Sequence, residues 1–213
     1  NGVISGMSVD GGRFFYPNPL AADGQYAFNA DNTKERQPWF GCACCPSNLC
    51  RFIPSFPGYV YAVKGRNLYV NLFTGNTATI QVEGKNVVLE QQTNYPWDGD
   101  ITLRVQQNKA KAFCLKIRIP EWATGNPVPS DLYRYSDDVL PAVQCTVNGN
   151  AVAVTTTEDG YLTIDRPWKK GDVVSVHFDM KPRVVKANEN VKADEGRIAI
   201  ERGPVVYCAE WPD

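Results

Sequence analysis

What the chain lacks narrows it first. Charge of one sign is not in excess: 22 Lys+Arg stand against 23 Asp+Glu. Without a basic stripe or interleaved aromatics, nucleic-acid binding has no footprint here. No apolar run is long enough to span a membrane, so no membrane partner is expected. The first residues, NGVISGMSVDGG, have neither the basic region nor the apolar core of a signal peptide. A starting methionine is missing too. NGVISGMS reads as the end of a helix already under way, and RGPVVYCAEWPD stops just after a strand. The chain therefore reads as a fragment of a longer protein, and any site completed from outside it will look half-built. There is a single histidine, His177, far along the chain in a strand-like stretch.

Convincing helices are also scarce. From about residue 58 onward the pattern is β throughout, with turns at Gly-Arg-Asn, Glu-Gly-Lys-Asn, Asn-Gly, Glu-Asp-Gly and Lys-Lys-Gly. That spacing belongs to an antiparallel sandwich rather than to strand–helix alternation. Stretches such as VVSVHFDM alternate apolar and polar residues, as a half-buried sheet face requires, and put His177 on the outer face. Residues 124–141, rich in Pro, Ser and Asp, read as a loop between strands. The one good helix candidate starts near Cys45 as N-cap with Pro46 in the first turn, and Pro54 is expected to end it.

What is abundant is cysteine at one place. Four of the seven cysteines fall in FGCACCPSNLC, from Cys42 to Cys50. Cys114, Cys145 and Cys208 sit in strand-like apolar contexts and read as buried small hydrophobes. A bridge between Cys44 and Cys45 would close a strained ring, far from the usual Cα separation of roughly 5.5–6 Å. Cys42 and Cys44 fall on one side of an extended chain, also a poor start for a bridge. Repeated C-x-x-C is absent and no local histidine is at hand, so the stretch makes no standard zinc finger. It could donate two thiolates to a site completed elsewhere. A helix N-terminus also stabilises a thiolate, which makes Cys44 and Cys45 candidate reactive thiols. Buried bystanders remain the alternative, and Cys42 and Cys50 stay closer to it, Cys50 as core.

FGCACCPSNLCRF resembles the Cys-Cys-Pro-x-Asn element of glycoside hydrolase family 127, the β-L-arabinofuranosidase family. NGVISGMSVDGGRFFYPNPL is similar to the segment ending that family's helical barrel. NYPWDGDITLRV, LKIRIPEWA, VNGN, YLTIDRPWKKGDVVSVHFDM and GRIAIERGPVVYCAE look like successive strands of its sandwich portion, in the same order. The resemblance implies a mainly β chain: a jelly-roll-like antiparallel sandwich over residues 58–213, preceded by the edge of an (α/α)6 barrel over residues 1–57. It implies a retaining glycosidase in which Cys44 is the nucleophile, Cys44 and Cys45 are zinc ligands, and Tyr16 lines the sugar pocket. A Glu and a further Cys for zinc, and the acid/base Glu, would come from the barrel upstream. The expected partners are thus a carbohydrate substrate, the missing barrel portion of the same protein and, further, a second copy in a homodimer. The source would be bacterial, and the site of action periplasmic or secreted rather than cytoplasmic. Ser47 stands where the family more often has a second proline, and Cys42 is an extra thiol that could compete as ligand.

Other residues carry weaker readings. Trp39 and Phe40 either stack on a sugar or pack between barrel edge and sandwich, and Trp39 is taken as a substrate-binding candidate. Trp97, Trp122 and Trp168 stand beside prolines at strand ends and read as structural. The rival to the enzyme is a non-catalytic β-sandwich module that binds carbohydrate or supports its neighbour, with ordinary core cysteines.

Overall fold

The computed structural model describes residues 6–17, 19–42, 44–155 and 158–210, and for Cys45 and Pro46 the backbone alone. A two-residue strand, β1 (Ala21–Ala22), and a 3-10 turn at Ala30–Asn32 precede helix α1 (Cys44–Ser55). That helix starts two residues earlier than expected, at Cys44, and continues one residue past Pro54. A single turn, α2 (Pro57–Val60), follows with proline at its first position. Strands then come at short spacing: β2 (Tyr61–Lys64), β3 (Asn67–Val70), β4 (Asn76–Val82), β5 (Lys85–Thr93), β6 (Asp100–Asn108) and β7 (Ala112–Arg118). They continue as β8 (Tyr133–Tyr135), β9 (Val143–Val147), β10 (Asn150–Val152), β11 (Tyr161–Pro167) and β12 (Val173–Phe178). The last are β13 (Pro182–Ala187), β14 (Ile198–Arg202), β15 (Val205–Tyr207) and β16 (Ala209–Glu210).

Mainly antiparallel sheets result, as the turn spacing predicts. One has six strands in the order β10-β9-β12-β6-β5-β4, and a second has four, β11-β7-β3-β2. Two hairpins owe their tightness to backbone in the left-handed region: Glu83-Gly84 and Asn148-Gly149 all have positive φ, the twist that suits two-residue hairpins. Neighbouring strands need not pair, however. β6 lies in the six-stranded sheet and β7 in the other, where β7 runs parallel to β3. The crossing between them is organised by Asn108, whose amide donates to the carbonyls of Lys111 (2.9 Å) and Trp168 (2.8 Å) and accepts from the Ala110 N–H.

The faces of the two sheets meet in one apolar core. Leu68, Val70, Phe113, Leu115, Ile117 and Leu162 from the smaller sheet meet Leu89, Ile101, Leu103, Val174, Val176 and Phe178 from the larger, each nearly free of solvent contact. Burial at this scale contributes roughly 1.5–3 kcal/mol per large side chain. Trp122 and Trp168 are buried as expected, and the Trp168 indole donates to the Phe113 carbonyl at 2.9 Å. Trp97 instead is exposed, and it is the Trp97 carbonyl that is used, accepting from Arg202 at 2.8 Å. His177 faces outward beside Asp100, 2.7 Å away, between buried Val176 and Phe178.

A third sheet, β15-β14-β13-β8, holds a buried polar group. The Tyr135 hydroxyl donates to Glu201 at 2.8 Å, and the Arg183 guanidinium lies over the Tyr135 ring at 3.4 Å while bonding Asp137. Finally, β1 pairs in parallel with β16, so the N-terminal segment lies along the C-terminal strand.

Two predictions follow from this packing. A Cβ placed on Gly99 would overlap the Phe178 backbone carbonyl, which is main chain and cannot rotate away. Gly99→Ala is expected to destabilise by about 2–3 kcal/mol, measured by denaturant unfolding; a change near zero would refute the close approach. Burial raises the Glu201 carboxyl above its ordinary value, against the lowering pull of Tyr135 and Arg183. A carboxyl raised on folding gives its full stability below the unfolded-state value and loses it as pH rises through the folded one. Glu201→Gln, which keeps an acceptor for Tyr135, should therefore gain in melting temperature relative to wild type as pH rises above the ordinary glutamate range; a flat difference would count against the raised carboxyl.

Candidate functional site

The segment before the sandwich is built on few contacts. Phe14 pairs with both Met7 and Gln37, exchanging backbone hydrogen bonds with Gln37 at 2.9 and 3.0 Å. Phe40, only 2% exposed, takes the edges of Phe14 and Tyr16 at centroid separations of 5.1 and 5.4 Å. Edge-to-face packing of this kind fixes ring orientation as well as burying area. Asn29, also buried, holds the backbone: its carbonyl oxygen accepts from the Tyr16 N–H at 2.7 Å and its amide donates to the Glu35 carbonyl at 2.9 Å.

With the Tyr16 ring so placed, its hydroxyl lies 2.9 Å from the Cys44 sulfur, at the first residue of α1. The Cys42 sulfur is 3.4 Å from the same atom. Cys42 and Cys44 are both exposed. At the start of the helix the Ser47 hydroxyl donates back to the Cys44 carbonyl at 3.0 Å, and the Gly41 N–H reaches the Asp31 carboxylate at 3.4 Å. The site is thus a hydroxyl and two sulfurs in a row on an accessible surface. Such an arrangement can present a nucleophilic sulfur held in place by a hydrogen-bond donor.

The segment is anchored to the far end of the chain. Arg36 makes a two-pronged pair with Glu210, at 2.8 and 2.5 Å, and its guanidinium covers Phe15 at 4.1 Å. The same guanidinium holds the Glu210 carboxyl below its ordinary value. A polar cleft of about 800 Å³ opens beside this pair, lined by Arg13, Phe15, Asp23, Lys34, Arg36 and Glu210.

Several expectations can be placed against this geometry. Tyr16 and Cys44 are brought together. Trp39 is 59% exposed while its neighbour Phe40 is buried, so the pair divides between an accessible ring and a packed one. The Cys45 side chain lies outside the described residues. Cys50 is exposed rather than in the core, while Phe52, on another side of α1, meets the rings of Phe56 and Tyr59. Cys114 and Cys145 are buried and Cys208 partly so. Burial pushes the Cys145 thiol up to about 11 and raises Cys114 and Cys208 as well, which keeps all three inert. Sequence reading missed Asn29 and the Arg36–Glu210 pair. An Asn in a polar loop and an Arg with a partner 174 residues away carry no local signal.

Comparison with known proteins matches three successive stretches of the chain. Residues 67–180 match the beta-L-arabinofuranosidase GH127 middle domain, residues 1–58 the GH127 catalytic domain, and residues 182–213 the glycoside hydrolase family 127 C-terminal domain. A non-reducing end beta-L-arabinofuranosidase of Bifidobacterium longum subsp. longum is 34% identical over the whole chain, which covers 30% of that protein. Among solved structures, a GH127 beta-arabinofuranosidase is 59% identical with a TM-score of 0.88, over 100% of this chain and 32% of its own. A GH127 beta-L-arabinofuranosidase from Geobacillus stearothermophilus T6 is 36% identical with a TM-score of 0.79, over 97% of this chain and 30% of its own. The chain thus spans about a third of the length of the relatives it matches. Matched along its sandwich, its thiol segment and its C-terminal strands alike, the chain belongs to glycoside hydrolase family 127.

Proposed function

We propose that this chain is the nucleophile-bearing part of a retaining, zinc-dependent glycoside hydrolase that releases L-arabinofuranose or a similar sugar from plant glycans. The observation that carries the reading is the Tyr16 hydroxyl 2.9 Å from the exposed Cys44 sulfur, within a family whose named members are β-L-arabinofuranosidases. Residues 1–57 would be the last edge of the catalytic barrel, and residues 58–213 the sandwich that supports it. The acid/base and the remaining zinc ligands would lie in the rest of the protein, so the chain alone should not hydrolyse a glycoside.

In this mechanism the Cys44 sulfur attacks the anomeric carbon as the bond to the leaving oxygen breaks, forming a thioglycosyl intermediate that water then hydrolyses. Retention follows from the two displacements, with sulfur in the place usually taken by a carboxylate. The Tyr16 hydroxyl donates to the sulfur and aims it, Phe40 and Asn29 fix Tyr16, and Trp39 offers an exposed ring to the sugar. Cys44 and Cys45 would hold zinc. Soft thiolate donors fit that ion. No group of three or more ligand side chains forms among the described residues. When bound, zinc supplies a Lewis acid that keeps a cysteine sulfur deprotonated.

Two experiments on the full-length protein test this reading. Cys44→Ser should cost at least about 10³-fold in turnover of an aryl β-L-arabinofuranoside, the scale of losing a nucleophile. Tyr16→Phe should cost roughly 10- to 100-fold, the worth of one hydrogen bond to a charged group. Wild-type turnover after Cys44→Ser would leave only the supporting sandwich module. Separately, elemental analysis should find zinc in wild type and a lower zinc content in Cys45→Ser; equal content in both would remove Cys45 from the ligand set.

A further inference from the structure

Cys42 has no part in that chemistry, yet it is placed against the sulfur that does. We propose that Cys42 is a resolving thiol for Cys44, and that the two close a reversible disulfide under peroxide, masking the nucleophile. The inference rests on the reading of Cys44 as a sulfur that substrate can reach, and it adds a modification site to it.

Three observations carry it. The sulfurs lie 3.4 Å apart, so forming a bond of ~2.05 Å needs a closure of only about 1.4 Å. Both side chains are exposed, so a small oxidant has access. Cys42 precedes the helix in irregular backbone and can turn toward Cys44, which α1 and the Tyr16 hydroxyl hold in position. A low-barrier partner beside an accessible nucleophilic thiol is the arrangement of a redox-sensing pair. A residue-skipping Cys-x-Cys ring is small and strained, which makes the bridge easily reduced and the masking reversible.

The chemistry balances. The Cys44 sulfur attacks one peroxide oxygen, the O–O bond breaks, and water leaves with a sulfenic acid remaining on Cys44. The Cys42 sulfur then attacks the Cys44 sulfur, the S–O bond breaks, and the hydroxide departs with the Cys42 proton as a second water. In sum two thiols are oxidised to one disulfide and one peroxide is reduced to two waters. An external thiol reverses it by exchange through a mixed disulfide.

The test uses the full-length protein treated with hydrogen peroxide, quenched in acid and denatured. Free thiols are alkylated with a light reagent, bridges are reduced, and the released thiols are labelled with a heavy one. Mass mapping of the peptide 37–51 should then find the heavy label on Cys42 and Cys44 and the light label on Cys45 and Cys50. Activity, relative to each variant's own untreated value, should return fully in wild type after dithiothreitol. In Cys42→Ser it should return to less than about a tenth, because Cys44 passes to the irreversible sulfinic acid. Heavy label elsewhere, or equal recovery in the two proteins, would overturn the pairing. Because the label is read on the peptide, a bridge found in a protein whose Cys44→Ser variant stays active would sink the nucleophile and leave the thiol pair standing.

Discussion

The site depends on one buried ring. Among the described residues ahead of Val60, Phe40 is the only large apolar side chain withdrawn from water. Everything that aims the thiol passes through it: Phe14 packs on it and sets the short ladder with Met7 and Gln37, and Tyr16 packs on it and reaches Cys44. A segment with so little core of its own gains its order from hydrogen bonds, from Asn29, and from what it leans against. The sandwich is the opposite case, with two apolar sheet faces closed on each other and few polar groups between them.

That contrast separates the two parts of the chain. The sandwich is stable ground whose energetics come from area. The thiol segment is a surface feature with exposed apolar residues, including Phe52, Ile53 and Tyr59 on α1 and α2. Relatives about three times as long have the chain to cover such a face. Catalytic groups gathered from separate parts of a protein are kept in register by the rigid part, and here that part is β.

Much of the sandwich was legible because its signals are local. Turn residues that accept positive φ, as at Asn148-Gly149, and alternation, as in Val174, Val176 and Phe178 around His177, are each read within a few residues. What local reading could not assign was which strand pairs with which. The change of sheet between β6 and β7 depends on Asn108 and Trp168, residues 60 apart. The same limit applies to the site. Cysteines near a helix start, and Tyr16 through family resemblance, could be picked out; the contact of Tyr16 with Cys44, and the burial of Asn29 beneath it, are tertiary facts. Cys50 shows the reverse error: its place on the helix suggests a core position, and among the described residues it is exposed.

The parallel pairing of β1 with β16, sealed by Arg36 and Glu210, also bears on the order of assembly. Within this chain the thiol segment is synthesised before the sandwich, and the strand it lies against comes after it. Contacts of such long sequence separation are slow to close. The hairpins of the sandwich can form as they appear, while β1 and Arg36 must wait for their partners until Glu210 has been synthesised. Cys44 is therefore made well before the strand that anchors its segment.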